Sequence, residues 1–181
     1  MDGAGDLWVR WRVRVGYPVA VLFAWLAKPG YESLAFGAVI GLFGLAVRAA
    51  AAGHLRKHEE LTTSGPYAFT RNPLYLGSAV LAVGVIVAGH SWLAAVLVGA
   101  YFALFYSIVM RREEAELRGK YGAAFEEYAE RVPLFFPRLT RGTAARGQFS
   151  TSQYLRNREY QALLGFLAGL ALLWAKMIWL G

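Results

Sequence analysis

The chain has 181 residues, of which 57 % are hydrophobic and 17 % are charged, and its formal net charge at pH 7 is +7. A soluble domain of this length usually carries more charge, and the apolar residues come in long blocks, so the composition is typical of a membrane protein. The absence of cysteine excludes disulfides, thiolate metal sites and a cysteine nucleophile, and with only three scattered histidines we expect no bound metal.

Five apolar segments predict transmembrane helices, because backbone polar groups in lipid must bond within their own segment. In chain order they are residues 13–27, 33–51, 74–89, 92–110 and 160–180. The first segment is short, with Pro18 in its first turns, where proline is tolerated. Only His90 and Ser91 separate the third segment from the fourth, which predicts an antiparallel hairpin. The expected fold is an all-α polytopic membrane bundle of five transmembrane helices with a cytoplasmic cofactor pocket, and residues 1–181 form one integral membrane domain.

The basic residues predict the orientation of this bundle. Most of them lie before the first segment, between the second and third, and between the fourth and fifth, whereas Lys28 and Lys176 fall outside this pattern. Arg48 can extend its side chain to the same side. By the positive-inside rule, the N-terminus is predicted to be cytoplasmic in an inner (plasma) membrane, and the N-terminal residues are interpreted as retained. Because the charge is spread over several loops, we expect a lipid bilayer as partner and no nucleic acid.

Two small-residue patterns and one linker complete this outline. The stretches "GAVIG" (37–41) and "GFLAG" (165–169) predict close helix approach, with packing within the chain favoured over dimerisation. Residues 140–153, "TRGTAARGQFSTSQ", resemble a linker that leads to the last helix.

The polar segments 52–73 and 111–158 are predicted to face each other, because the hairpin joins them. Residues 111–130 predict a helix that breaks near Gly119–Gly122. Its glutamates have a simple interpretation, which is pairing with basic residues of the same helix. The stretch "RVPLFFPR" (131–138) predicts a segment that folds back onto the membrane surface or forms the edge of a pocket.

The turn before the third helix combines structural and binding signals. In "SGPYAFTRNPLYLG" (64–77), Asn72 is the predicted N-cap and Pro73 the first helical residue. A helix N-terminus with Arg71 beside it can also bind a carboxylate, and Tyr67 or Tyr75 can offer a flat surface to an aromatic ring. We therefore expect this turn to lie beside "RREEAEL" (111–117).

These motifs together resemble the isoprenylcysteine carboxyl methyltransferases and the related phospholipid N-methyltransferases, which are integral membrane enzymes. The resemblance rests on "LTTSGPY" (61–67), "RNPLYLG" (71–77), the helical hairpin, Glu113-Glu114, Tyr121-Gly122, Tyr128 and Val132-Pro133, in that order. It covers about residues 52–138 and implies S-adenosylmethionine as cofactor, S-adenosylhomocysteine as product and an acceptor that enters from the bilayer. The implied cofactor-binding residues are Glu59, Glu60, Leu61, Thr62, Tyr67, Asn72, Pro73, Leu74, Tyr75, Glu113 and Glu114.

The sequence departs from the family pattern at two positions. Asn72 replaces the usual histidine of an Arg-His-Pro triplet, and Val109 stands where many relatives carry an arginine that can meet an acceptor carboxylate. Arg71, Arg111, Arg112 or Arg131 can take that role, and Arg71, Arg112 and Arg131 are the predicted catalytic residues.

The acceptor is left open by the residues themselves. A carboxylate of an isoprenylcysteine-like thioether is the first choice, and an amino-headgroup lipid is the alternative. An amine would have to lose a proton, for which His54, His58 and Glu59 are candidate bases. Two interpretations from other classes are a nicotinamide-dependent membrane reductase and a non-catalytic membrane scaffold.

Overall fold

The computed structural model describes residues 3–56, 59–138 and 148–180, and in this part of the chain all regular structure is helical. The helices are α1 (Gly3–Leu26), α2 (Tyr31–His54), α3 (Pro73–Gly89), α4 (Trp92–Tyr121), α5 (Ala123–Arg131), α6 (Thr151–Arg156) and α7 (Tyr160–Leu180). A 3-10 turn, Gly65–Ala68, precedes α3. His58, one of the candidate bases, and residues 140–147 of the predicted linker lie outside the described residues.

The all-α fold is confirmed, and each of the five predicted apolar segments forms a helix. Among the described residues, three helices are long and apolar enough to cross a membrane: Tyr31–His54, Trp92–Tyr121 and Tyr160–Trp179. Arg14–Leu26 and Pro73–Gly89 are shorter apolar helices, so the count of five spans stays a prediction. One detail of the prediction is wrong, because α1 begins ten residues earlier than residue 13, and Pro18 therefore lies in the helix interior.

The hairpin between α3 and α4 closes as predicted. His90 adopts a left-handed conformation (φ 44°) that ends α3, and the Ser91 side chain accepts a hydrogen bond from the Ala94 backbone N–H at the start of α4. The predicted break after α4 is also confirmed, since Gly122 (φ 50°) separates α4 from α5. The hairpin brings the C-terminal part of α4 to the same end of the bundle as the first turn of α3.

Glycines bring α2 and α3 into backbone contact. A Cβ atom on Gly37 would lie 2.5 Å from the Gly84 carbonyl oxygen, and one on Gly77 would lie 2.8 Å from the Gly44 carbonyl oxygen. The close packing predicted for "GAVIG" is therefore confirmed within the chain. The same prediction is wrong for "GFLAG", because a Cβ atom added to Gly165 or Gly169 would meet nothing within 4 Å among the described residues.

We expect Gly84→Ala to lower the melting temperature of the detergent-solubilised protein. Its Cβ would lie 2.5 Å from the Gly41 backbone nitrogen, so the two helices must move apart, at a cost of roughly 1–3 kcal/mol. Gly99→Ala is the matched control, because Gly99 lies in α4 with open space around it. Equal melting temperatures for the two variants would contradict the close contact.

The far end of the bundle, at the α3–α4 turn, is tied together by a lysine. Lys176 of α7 donates hydrogen bonds to the carbonyl oxygens of Ala24, Trp25 and Ala27 at 2.7, 2.7 and 2.8 Å. The last carbonyls of a helix have no partner within it, so Lys176 caps the C-terminal end of α1. This cap lies away from the turn before α3, because the 17 residues of α3 span about 25 Å.

Candidate functional site

The site is built around the turn that leads into α3, and two prolines shape this turn. Gly65 opens it with φ +59°, Pro66 occupies its first positions, and Pro73 begins α3. A left-handed φ favours glycine, while proline fixes its own φ near the helical value. Gly65, Pro66 and Pro73 therefore restrict the backbone that carries Tyr67 and Tyr75.

Arg71 is the centre of an internal polar network. Its Nε donates to Glu114 Oε1 at 2.6 Å, and its Nη1 donates to the carbonyl oxygens of Ala129 and Val132 at 2.7 and 3.0 Å. The two charged side chains are 13 % and 15 % exposed. The guanidinium thus joins the turn to α4 and to the end of α5, which makes Arg71 a positioning residue in this structure.

Residues 132–138 run back along the turn and bond to it. The backbone N–H of Arg71 donates to the Pro133 carbonyl at 2.9 Å, and that of Arg138 donates to the Phe69 carbonyl at 3.0 Å. The buried Thr70 hydroxyl donates to the Phe135 carbonyl at 2.9 Å. These hydrogen bonds attach the segment "RVPLFFPR" to the turn that leads into α3.

Asn72 takes a different role from the predicted N-cap. It occupies the N-cap position, but its side chain makes no cap bond; instead its Nδ2 donates to the Leu134 carbonyl at 3.0 Å. The side chain acts as a neutral hydrogen-bond donor, and an uncharged imidazole N–H can donate in the same way. The replacement of histidine by asparagine at position 72 is therefore compatible with this contact.

The predicted approach of α3 to the acidic pair on α4 is present. The Tyr75 hydroxyl donates to Glu113 Oε1 at 2.6 Å, while Glu114 pairs with Arg71. The simple interpretation, in which these glutamates pair along their own helix, holds for Glu116, which accepts from Arg112 at 2.9 Å. Glu113 is exposed, so its carboxylate can also meet a ligand.

An aromatic surface lies next to this contact. Tyr75 meets Tyr106 edge to face with ring centroids 5.6 Å apart, and Tyr106 stacks on Phe102 at 4.1 Å. Tyr106 and Phe102 were not among the predicted site residues. The sequence spacing could have identified Tyr106, because it lies seven residues before Glu113 and therefore on the same face of α4.

Tyr67 is buried in the turn before α3. Its ring is 7 % exposed, and its carbonyl accepts a 2.7 Å bond from the Tyr128 hydroxyl. Burial raises the pKa of Tyr67 above its ordinary value, with further contributions from neighbours that include Tyr128, Glu113 and Glu159. The hydroxyl therefore stays protonated at physiological pH and can donate to a ligand.

Among the described residues, the remaining predicted ones either pair with other partners or lie in and beside the first turn of α3. Glu59 pairs with Arg156 at 2.8 Å, and Glu60 with Arg56 at 3.4 Å. Arg131 pairs with Glu127 at 3.2 Å on the exposed side of α5. Half-buried positions are occupied by Leu61, Thr62 and Leu74, whereas Pro73 and Val109 are buried.

Sequence reasoning missed a second polar cluster inside the bundle. Arg48 reaches toward the end of the bundle where α3 and α7 begin, and there it bonds through Nε and Nη2 to both carboxylate oxygens of Glu159 at 2.9 and 2.8 Å. It also donates to the Ser78 hydroxyl and, at 3.3 Å, to the Leu74 carbonyl. The sequence could have indicated this cluster, because Arg48 is a charged residue within an apolar helix, and such residues usually pair with a polar partner.

The grooves of the described surface include the following two. One, of about 260 Å³, runs between α2 and α7 and includes Leu42, Leu45 and Glu159. The other, of about 780 Å³, lies at the far end and includes His90 and Trp92. Neither groove is lined by Tyr67, Tyr75 or Glu113, so the predicted cofactor pocket stays a prediction.

Comparison with known proteins places the chain in a family. One relative is the nickel-cobalt-cadmium resistance protein NccN of Alcaligenes xylosoxydans xylosoxydans, 41 % identical over 47 % of this chain and 39 % of the relative. Another is the cobalt-zinc-cadmium resistance protein CzcN of Cupriavidus metallidurans, 33 % identical over 72 % of this chain and 63 % of the relative. The chain thus spans less than two thirds of either protein's length.

A third relative is the protein-S-isoprenylcysteine O-methyltransferase of Schizosaccharomyces pombe, 31 % identical over 45 % of this chain and 34 % of the relative. No solved structure shows a significant match. The profile of the family described as phospholipid methyltransferase matches residues 11–124, which is more than half of the chain. The chain belongs to the phospholipid methyltransferase family.

Proposed function

We propose that this chain transfers a methyl group from S-adenosylmethionine to a lipid or lipidated acceptor that reaches the site from the bilayer. The observation that carries the proposal is the contact between Tyr75 and Glu113, which joins the two family-like motifs at the mouth of α3. When bound, the cofactor supplies an electrophilic methyl group on a positively charged sulfur. Glu113 and the first turn of α3 would hold the cofactor, which would give up this methyl group to the acceptor and leave as S-adenosylhomocysteine.

The polar groups at this corner suit an amino acid moiety that carries both charges. Glu113 uses one oxygen for Tyr75, and its carboxylate can accept charge-assisted hydrogen bonds from an ammonium group. The side chain of Asn72 makes no cap bond to α3, and the helix dipole favours a carboxylate at this end of the helix. Arg71 already donates to Glu114 and to two carbonyls through Nε and Nη1, which favours the helix N-terminus as the carboxylate site.

The protein's part in catalysis is positioning. The protonated Tyr67 hydroxyl can donate a hydrogen bond to a nucleoside, and the Tyr75–Tyr106–Phe102 surface can exclude water from the reacting atoms. Alignment of an incoming nucleophile with a methyl–sulfur bond lowers the barrier mainly by removing orientational freedom. No nucleophilic side chain is required for such a transfer.

For the acceptor, carboxyl O-methylation of an isoprenylcysteine-like thioether is the first choice. Two relatives are named protein-S-isoprenylcysteine O-methyltransferases, which supports this class. Of the candidate arginines, Arg131 has the most exposed ion pair, and such pairs contribute little, so Arg131 can exchange Glu127 for an acceptor carboxylate. The cytoplasmic placement of the site in the inner membrane belongs to the same proposal.

An amino-headgroup lipid is the second candidate. The family description supports it, and Arg71 is occupied by Glu114 rather than open to an acceptor. The names of NccN and CzcN refer to metal resistance and do not mention a methyl acceptor. A contribution of this chain to metal resistance is therefore a separate question for experiment.

Calorimetry of the detergent-solubilised protein tests the cofactor, with S-adenosylhomocysteine and NADPH titrated separately. Binding of S-adenosylhomocysteine is expected; binding of NADPH alone would favour a reductase, and binding of neither would favour a scaffold. Radiolabelled methyl transfer to prenyl-cysteines and aminolipids then identifies the acceptor. Base-labile product indicates an ester, whereas base-stable product indicates an amine.

A further inference from the structure

A short segment near the C-terminal end of the chain, residues 148–159, crosses the end of α2. The Asn157 Nδ2 donates to the carbonyl oxygens of Ala52 and Leu55 at 2.9 and 3.2 Å. The Ser150 backbone N–H donates to the Gly53 carbonyl at 2.9 Å. The last carbonyls of a helix have no partner within it, so this segment caps α2 from outside.

Phe149 continues this contact toward the end of α2. Its ring occupies the space beside Gly53 where a Cβ atom would overlap it, and it meets the His54 ring edge to face with centroids 6.3 Å apart. The His54 Nδ1 lies 2.8 Å from the Ala50 carbonyl oxygen, which fixes the ring plane. Phe149 therefore holds one side of an oriented imidazole.

The other side of that imidazole supports the turn before α3. A Cβ atom on Gly65 would overlap the His54 ring, so the ring lies directly against the residue that opens the turn. Pro66 and Tyr67 follow within the same 3-10 turn. The contacts thus run in an unbroken order from Phe149 through His54 and Gly65 to Tyr67.

A second set of hydrogen bonds connects residues 148–159 to the start of α3. Glu159, at its end, bonds through both oxygens to Arg48 of α2, and Arg48 reaches Ser78 and the Leu74 carbonyl of α3. Residues 148–159 lie beyond residues 11–124, the part of the chain that matches the family. The support for the turn is therefore supplied by a part of this chain outside the family match.

We propose that Phe149 and Asn157 are positioning residues that hold the Gly65–Ala68 turn, and with it Tyr67, in the geometry that binds the cofactor. The inference rests on the proposed function for its catalytic meaning. Neither residue touches the cofactor; both act through the end of α2 and His54. Removal of either contact lets the turn shift, and small displacements of a positioned group cost much binding and rate.

The test compares Phe149→Ala and Asn157→Ala with the unaltered protein. We expect roughly 10-fold weaker S-adenosylhomocysteine binding, and a KM for S-adenosylmethionine raised more than kcat is lowered. Phe149→Tyr should restore binding, because Phe149 is 52 % exposed and has room for a hydroxyl. Lys176→Met, which uncaps α1 at the far end, should lower the melting temperature and leave cofactor affinity unchanged.

Hydrogen exchange supplies a readout that does not depend on the cofactor. The amides of Tyr67 and Phe69, which bond to the Ser64 and Pro66 carbonyls, should exchange faster in Phe149→Ala than in Lys176→Met. Unchanged exchange and unchanged affinity in Phe149→Ala would overturn the inference. If the unaltered protein binds no S-adenosylhomocysteine, the proposed function fails, and the exchange rates alone decide whether the segment holds the turn.

Discussion

Glu113→Gln is expected to weaken S-adenosylhomocysteine binding about 10- to 100-fold, because one charge-assisted hydrogen bond contributes about 1.5–3 kcal/mol. The glutamine keeps the size of the side chain and can still accept from Tyr75, so the variant removes the charge and little else. Glu113 is exposed, and we therefore expect no change in melting temperature. Calorimetry with S-adenosylhomocysteine, alongside a thermal melt, measures both quantities.

Glu116→Gln is the matched control for this prediction. Glu116 lies on the same helix, is exposed, and pairs with Arg112 rather than with any residue of the α3 turn. Its replacement should leave cofactor affinity unchanged. Affinity that falls equally in both variants would indicate a general effect of negative charge near the site, and the assigned role of Glu113 would then be wrong.

Arg71→Ala is expected to be the most destabilising single change in the site, at about 3–5 kcal/mol of unfolding free energy, since it leaves the half-buried Glu114 without its partner. It also removes the donors to the Ala129 and Val132 carbonyls. The variant should therefore melt earlier in detergent and release residues 132–138 to protease. Activity is expected to fall together with stability.

Two further variants separate charge burial from positioning. Arg118→Ala breaks an exposed ion pair with Glu126 and should leave the melting temperature unchanged. Arg71→Met combined with Glu114→Met removes both charges and should recover part of the loss, because the two carbonyls still lack their donors. A fully stable Arg71→Ala variant would show that the network does not hold the turn.

The helical architecture was predictable because it follows from blocks of apolar residues. The approach of Tyr75 and Arg71 to the glutamates followed in turn from the short link at His90-Ser91, which places both segments at one end of the hairpin. It was not predictable that Glu113 would bond to Tyr75 and Glu114 to Arg71. Adjacent residues on a helix point in directions about 100° apart, and which of them meets Tyr75 depends on the rotation of α4.

Contacts that are distant in the chain escaped prediction for a physical reason. Glu159 lies 111 residues after Arg48, and no local pattern specifies that pair. The same holds for residues 151–153, which resembled a linker but form the first turn of α6. Their helix is fixed by the Ser150 cap on Gln153 and by packing on α2, and neither is visible in polar composition alone.

Helix α4 is a single unbroken helix that contains both an apolar segment long enough to cross the bilayer and the site residue Glu113. Its 30 residues span about 45 Å, which exceeds a hydrocarbon core of about 30 Å, and Glu113 lies on the part that can project beyond it. Tyr75, by contrast, belongs to a helix whose glycines seat it on α2. A shift of α4 along its axis relative to α2 and α3 would change the Tyr75–Glu113 separation, so a change in membrane thickness would be felt at this contact.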